Sequence, residues 1–178
     1  IVLNISAPPS NDDFSGRIPL TGSSVSVTGS NVGAGKQNGE PDHADEPGGK
    51  SVWWTWTPPV AGIVTVDTHG SGFDSLLAVY TGDSVSALTS VASNDDGDYR
   101  MTSMVTFAAE IGKTYHIAVD GIEGEAGLIT LNIHQGLNLR SQPESRTTAV
   151  GGSAYFGVTA GGAATLRYQW RQNGLDLP

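Results

Sequence analysis

The sequence contains no cysteine and only two methionines among its 178 residues. Without cysteine the chain has no disulfide, no cysteine-based zinc site and no thiol nucleophile. Lysine and arginine together number nine and are scattered, so the sequence lacks the basic stripe that nucleic-acid binding requires. No apolar run is long enough to cross a membrane as a helix. We therefore expect no nucleic-acid partner and no membrane span.

What the sequence does contain is glycine (24 residues) and an acidic surplus, with a formal net charge of −9. Short runs rich in Val, Thr, Tyr and Trp alternate with clusters of Gly, Asn, Asp and Pro, which is typical of short strands joined by turns. Their spacing predicts an all-β fold, a jelly-roll-like β-sandwich. The predicted strands are Arg17–Leu20, Ser24–Thr28, Ser51–Thr57, Ile63–Thr68, Ser75–Thr81, Thr102–Ala108, Lys113–Val119 and Leu128–His134.

Turn signals divide the chain into three parts. Residues 1–10 form an N-terminal strand or linker that ends at Pro8-Pro9, and residues 11–135 form the sandwich. Residues 136–178 form a second unit with alternating segments at Ala154–Ala160 and Leu166–Arg171 and a hairpin signal at Asn173-Gly174. This unit has too few strands to close a sandwich.

Residues 11–134 resemble the bacterial pre-peptidase C-terminal family of β-sandwich domains. The resemblance rests on motifs in the order NDDF (Asn11–Phe14), GEPDH (Gly39–His43), SVWWTWTPPVAG (Ser51–Gly62), GFDSLLAVYTG (Gly72–Gly82), SNDDGD (Ser93–Asp98) and TYHIAVDG (Thr114–Gly121). It implies a non-catalytic domain of an exported protein. Some members of this family bind calcium, and others bind collagen or other polymers.

Residues 137–178 resemble the front half of an immunoglobulin-like domain, which implies an incomplete immunoglobulin-like β-sandwich. The resemblance places Trp170 as the buried tryptophan of the third strand. Phe156 or Val158 then fills the space of the usual cysteine.

Clusters of acidic and amide residues are the most chemically suggestive feature of the sequence. Calcium takes six to eight oxygen ligands, and loops from different strands can bring such groups together at one end of a sandwich. The alternative is that Asn and Asp only form turns. The candidate ligands for a structural calcium ion are Asn11, Asp12, Asp13, Glu40, Asp42, Asp95, Asp96, Asp98 and Asp120.

Trp53 alternates with Trp54 and Trp56 on one predicted strand, so its side chain points to the opposite face. Either both faces pack against other residues, or Trp53 forms a platform for sugar rings. The four histidines lie far apart in sequence and show no H-E-x-x-H spacing, and no G-x-S-x-G elbow is present. We therefore expect no enzyme activity.

Two candidate features lie near the N-terminus. Asn4 is in an N-x-[ST] sequon and is a candidate glycosylation site. Ile1, Val2, Leu3 and Ile5 supply the apolar positions of a strand that either belongs to a preceding domain or pairs with the open unit of another copy.

These features predict a secreted or cell-surface structural or adhesive module, in a tandem-domain protein or a filament built by β-strand addition. Its expected partners are neighbouring copies or tandem domains, together with polysaccharide or an extracellular matrix protein. The alternative is a carbohydrate- or protein-binding appendage of a secreted hydrolase.

Overall fold

The computed structural model describes residues 7–97, 101–136, 138–161 and 168–177. Almost all regular structure in these ranges is β-strand, which confirms the predicted all-β sandwich. No described helix is long and apolar enough to cross a membrane. The strands are β1 (Ile18–Leu20), β2 (Ser24–Ser30), β3 (Val52–Trp56), β4 (Gly62–Asp67), β5 (Ser75–Thr81), β6 (Thr89–Asn94), β7 (Met104–Ala109), β8 (Tyr115–Gly121), β9 (Leu128–Gln135), β10 (Asn138–Ser141), β11 (Thr159–Gly161), β12 (Arg171–Gln172) and β13 (Leu175–Asp176). Single turns of 3-10 helix lie at Phe14–Gly16, Val85–Ala87 and Ile122–Gly124.

The first nine strands form two sheets. One has five strands in the order β1-β3-β8-β5-β6, and the other has four in the order β2-β9-β4-β7. The pairings within both sheets are antiparallel, except that β1 runs parallel to β3. The starts of β3 and β5 and the ends of β6 and β8 therefore meet at one end of the sandwich, where the loops before and after them also lie.

The main core lies between the sheets because apolar side chains alternate along the strands. Trp54 and Trp56 on β3 face the four-stranded sheet and are 2% and 1% exposed. Val66 on β4 and Leu131 on β9 belong to the same buried cluster. The indole nitrogen of Trp56 donates to the carbonyl of Gly22 at 2.9 Å, so this large side chain is buried without an unsatisfied donor.

A second buried cluster covers the outer face of the five-stranded sheet. Trp53, Ala78, Tyr80 and Ala118 project from this face and pack with Phe14. They are covered by residues 31–51, which we call the strap. The strap leaves β2, reaches the turn after β5 where Gly39 approaches Ser86, and returns to the start of β3. Both faces of this sheet are therefore buried.

The predicted strands of the sandwich are confirmed with shifts of one or two residues at their ends. Strand β6 was not predicted, because its text (TSVASN) has only two apolar residues and ends in turn-forming residues. It is held mainly by pairing with β5, and its register shifts between Val79 and Tyr80.

Residues 138–161 and 168–177 of the C-terminal unit form two separate two-stranded pairs, β10–β11 and β12–β13. The Asn173-Gly174 hairpin is confirmed, with positive φ at both residues as a type I′ turn requires. The expected burial of Trp170 is wrong for this chain: its side chain is 42% exposed, because no second sheet of the unit covers it in the described residues. Phe156 is likewise 52% exposed.

Candidate functional site

Asn11 and Asp12, predicted as metal ligands, instead join the first loop to the strap and to β3. Asn11 is buried, its amide nitrogen donates to the Trp53 carbonyl at 3.1 Å, and its own carbonyl accepts from the Trp53 N–H at 2.9 Å. A carboxylate oxygen of Asp12 accepts from the Gly35 N–H at 2.8 Å. Asp13 is exposed and precedes the turn at Phe14–Gly16 without capping it.

Glu40, also a predicted ligand, belongs to a buried chain of hydrogen bonds under the strap. The Nε2 of His43 lies 2.9 Å from a Glu40 carboxylate oxygen, and Nδ1 lies 2.8 Å from the Tyr80 hydroxyl. The side chains of Glu40 and His43 are both fully buried. The other Glu40 oxygen accepts from the Gln37 N–H at 2.8 Å. This series of hydrogen bonds thus joins the strap to β5.

The Tyr80 hydroxyl at one end of this hydrogen-bonded series is protonated. Burial first, and then the negative charge of Glu40, raise the pKa of Tyr80, so its O–H stays protonated. The Tyr80 hydroxyl is hydrogen-bonded to Nδ1 of His43 and the Glu40 carboxylate to Nε2, and the imidazole tautomer sets which atom donates in each bond. A Glu–His–Tyr series of this kind can relay protons, but a general acid or base must reach the substrate. The side chains of Glu40 and His43 point from the strap toward the sheet and are fully buried.

Asp120, a further predicted ligand, lies at the end of β8 and is fully buried. Its carboxylate accepts from the backbone N–H groups of Gly49 at 2.9 Å, Lys50 at 2.7 Å and Gly121 at 2.8 Å. Several backbone donors stabilise a buried carboxylate without a metal. A Cβ at Gly48 would lie 1.9 Å from a carboxylate oxygen of Asp120, so the strap needs glycine there. Asp120 therefore fixes the returning end of the strap.

Asp95 and Asp96 lie at the end of the sandwich described above, together with two acidic residues that sequence reasoning missed. Burial first, followed by the charges of Asp96, Glu125 and Asp95, raises the pKa of Asp74. The Asp74 N–H also donates to a Glu125 carboxylate oxygen at 3.0 Å. We call Asp74, Asp95, Asp96 and Glu125 the end cluster. Its members are up to 51 positions apart in the sequence, which is why motif spacing did not reveal it.

A group of buried hydroxyls supports the end cluster from below. The Thr68 and Ser75 hydroxyls are 2.6 Å apart, and the Ser103 N–H donates to Thr68 Oγ1 at 2.8 Å. The Ser103 hydroxyl reaches the Asp95 carbonyl at 2.9 Å. The loops that carry Asp74 and Asp95 are therefore tied together through the interior.

The predicted calcium ligands thus divide between the strap region and the end cluster. Asp42 is exposed and paired with Lys36, which lowers the pKa of Asp42. Within residues 7–97, 101–136, 138–161 and 168–177, no three histidine, aspartate or glutamate side chains are arranged to hold a metal ion. Calcium binding stays a prediction, and of the residues predicted from sequence, Asp95 and Asp96 lie near the carboxylates of Asp74 and Glu125.

The hypothesis that Trp53 is a sugar-stacking platform is corrected by the structure. Trp53 is fully buried, with Phe14 at 5.1 Å edge-on and His43 at 5.4 Å between ring centroids. Among the described residues, the exposed aromatic side chains lie instead in the C-terminal unit. Tyr155, 85% exposed, and Phe156 line an open groove of about 360 Å³.

Several predicted residues lie outside the described part of the chain. They are the glycosylation candidate Asn4, the strand residues Ile1, Val2, Leu3 and Ile5, and the metal candidate Asp98.

No family model matches the chain, and no curated protein matches it in sequence. The resemblances to pre-peptidase C-terminal and immunoglobulin-like domains therefore stay predictions from the motifs quoted above.

Proposed function

We propose that the chain is a non-catalytic structural or adhesive module of a secreted or cell-surface protein, acting in a tandem array or a filament. The observation that carries this proposal is the inward orientation of its reactive groups. Glu40, His43 and Asp120 are hydrogen-bonded to the molecule's own donors and acceptors beneath the strap. Such groups hold loops in place, and a module that transmits load or spaces other domains needs its loops fixed.

Electron microscopy of the native material tests this proposal. Strings of similar particles or regular filaments are expected in negative stain. Isolated particles whose native polypeptide also carries a catalytic domain would contradict it and favour the appendage of a hydrolase.

Calcium is proposed as a structural cofactor bound at the end cluster. The carboxylates there are the ligands that calcium prefers, and burial first, then the negative charges of Asp96, Glu125 and Asp95, raise the pKa of Asp74. A divalent cation relieves that repulsion and joins three loops. The described side chains do not yet form a ligand set, so binding requires them to move closer or to recruit further oxygen donors.

Thermal unfolding in calcium and in chelator tests the calcium proposal. We expect calcium to raise the Tm, and Asp74→Asn to remove the response while raising the Tm in chelator, because one repelling charge is lost. Asp42→Asn is the matched control, since Asp42 lies outside the end cluster and pairs with Lys36. An unchanged Tm in calcium would remove the cofactor and leave the structural proposal standing.

A second candidate function is binding of polysaccharide or matrix protein by the C-terminal unit. It is favoured by the groove beside Tyr155 and Phe156, which also contains Glu144 and Arg146. Aromatic faces with nearby polar groups suit sugar rings and peptide side chains. Polysaccharide pull-down should then be lost in Tyr155→Ala and kept in Val150→Ala. Equal binding by both variants would contradict this second function.

A further inference from the structure

The four sheet edges of the sandwich differ in how well they are protected. Strand β1 has three residues including Pro19, and β6 has a register shift and lies against β7. Proline, irregularity and coverage are the usual ways in which proteins block edge-to-edge pairing. Strand β2 has none of them within the described residues. It pairs regularly with β9 over all of Ser24–Ser30, contains no charged residue or proline, and no described strand pairs with its other edge.

The exposed side of β2 also leaves apolar surface incompletely covered. Val25 and Val27 point toward the core but are only partly buried, whereas their partners on β9, Ile133 and Leu131, are fully buried. A further strand beyond β2 would cover these valines with its inward side chains. It would also pair the backbone N–H and C=O groups that β2 directs away from β9.

A segment with the required pattern exists in this chain. Residues 1–6 (IVLNIS) match residues 129–134 of β9 (ITLNIH) at four of six positions, namely both isoleucines, the leucine and the asparagine. In β9 the matched Ile and Leu side chains enter the core, and Asn132 accepts from the Ser26 hydroxyl at 2.7 Å. Residues 1–6 lie outside the described part of the chain, so only their sequence supports this comparison with β9.

We propose that residues 1–6 of one copy add as a strand to the free edge of β2 in a second copy of this chain. Leu3 and Ile5 would then lie on the same face as Val25 and Val27, and Asn4 on the face of Ser26. Donor and acceptor are different surfaces, so the contact is head-to-tail and continues into an open filament when its rotation does not close a ring. The proposal deepens and rests on the proposed structural function, because it identifies the partner and the surface.

Charge adds an independent readout. Each copy has a formal net charge of −9, whereas neither residues 1–6 nor β2 contains a charged side chain. Repulsion between copies is therefore long-range and screened by salt, and the contact itself is apolar and backbone-mediated. Association should strengthen as ionic strength rises.

Sedimentation of the full chain over a range of concentrations tests the contact. We expect mass to rise with concentration and with salt, and deletion of residues 1–6 to abolish association. Thr28→Lys places a charge on the solvent-facing face of β2, next to the edge that the added strand would join. This variant should weaken association about tenfold, the scale of one or two lost hydrogen bonds. Ala108→Lys places the same charge on β7, at the opposite edge of the same sheet, and should leave association unchanged.

A parent chain that stays monomeric at every concentration would overturn the proposal, and so would association that survives deletion of residues 1–6. Equal weakening by Thr28→Lys and Ala108→Lys would overturn the assignment to β2. Circular dichroism of each variant separates these results from misfolding. Failure of this contact can be told apart from failure of the proposed structural function. If only the contact is wrong, arrays are still seen in the native material; if the structural function is wrong, they are not.

Discussion

The sandwich and the C-terminal unit use similar alternating sequences but bury them to different extents. Trp53, Trp54 and Trp56 are at most 2% exposed, whereas Trp170 is 42% and Tyr155 85% exposed. The sandwich has nine strands in two sheets, and the C-terminal unit has two isolated pairs in its described residues. A two-stranded pair has no opposing layer, so its apolar face stays in water whatever its pattern.

The comparison teaches that the alternating pattern specifies a face, and that the number of neighbouring strands decides whether this face becomes a core. In the sandwich even the second face of the five-stranded sheet is buried, because the strap brings its own hydrogen-bonding groups to cover it.

The largest expected effect contrasts two tryptophans. Trp53→Ala should reduce the free energy of unfolding by about 3–5 kcal/mol, since it empties the space between sheet and strap. Trp170→Ala should change sandwich unfolding by less than about 0.5 kcal/mol. Urea unfolding followed by far-ultraviolet circular dichroism measures both. Similar losses in the two variants would show that the C-terminal unit shares the cooperative core.

The next effect contrasts two glycines of the strap. Gly48→Ala should cost about 1–3 kcal/mol, because the new Cβ would overlap the Asp120 carboxylate and displace its backbone donors. Gly35→Ala is the control, because a Cβ there meets nothing within 4 Å. Thermal unfolding of both variants decides the point, and a tolerated Gly48→Ala would mean that the strap does not close on Asp120.

A smaller effect is expected from removing one hydroxyl. Tyr80→Phe leaves Nδ1 of His43 buried without its hydrogen-bond partner, which should cost about 1–2 kcal/mol. Tyr155→Phe removes the same atom from an exposed ring and should be neutral. Chemical denaturation compares the two, and equal stabilities would indicate that the Glu40–His43–Tyr80 chain adds nothing to the attachment of the strap.

The smallest effect is a pH dependence from His116, which is 5% exposed and packs at 4.9 Å from Phe14. Burial and then the charge of Arg17 lower the pKa of His116, while a hydrogen bond with Gly82 and the charge of Asp83 oppose this. The unfolded chain therefore binds the proton first. Stability from neutral His116 is present above the unfolded pKa of 6.5 and is lost as pH falls from there through the lower folded pKa.

The slope due to His116 is at most that of one proton, about 1.4 kcal/mol per pH unit. His116→Gln should flatten the curve of unfolding free energy against pH below pH 6.5, the pKa of the unfolded histidine. His134→Gln serves as the control for loss of a histidine from the sandwich. An unchanged slope in His116→Gln would assign the acid sensitivity to other groups.

The sequence was sufficient to predict eight of the nine strands of the sandwich, all but β6, because period-two alternation is local and glycine and proline mark its limits. It was not sufficient for the site. Asp74 and Glu125 approach only after β5 and β8 have paired, and the burial of Trp53 depends on a strap whose own sequence has no regular pattern. The Glu40-x-x-His43 spacing was visible, but its Tyr80 partner is 37 positions away.

Amide hydrogen exchange of the full chain tests most directly the central claim that the strap is a fixed part of the core. The N–H groups of Gly49 and Lys50, which donate to Asp120, should exchange only on global unfolding, as slowly as those of β8. Amides of the C-terminal unit should exchange far faster. If Gly49 and Lys50 exchanged as fast as the C-terminal unit, the strap would open in the folded protein. The buried Glu40–His43–Tyr80 chain would then be an accessible site, which would contradict a purely structural role.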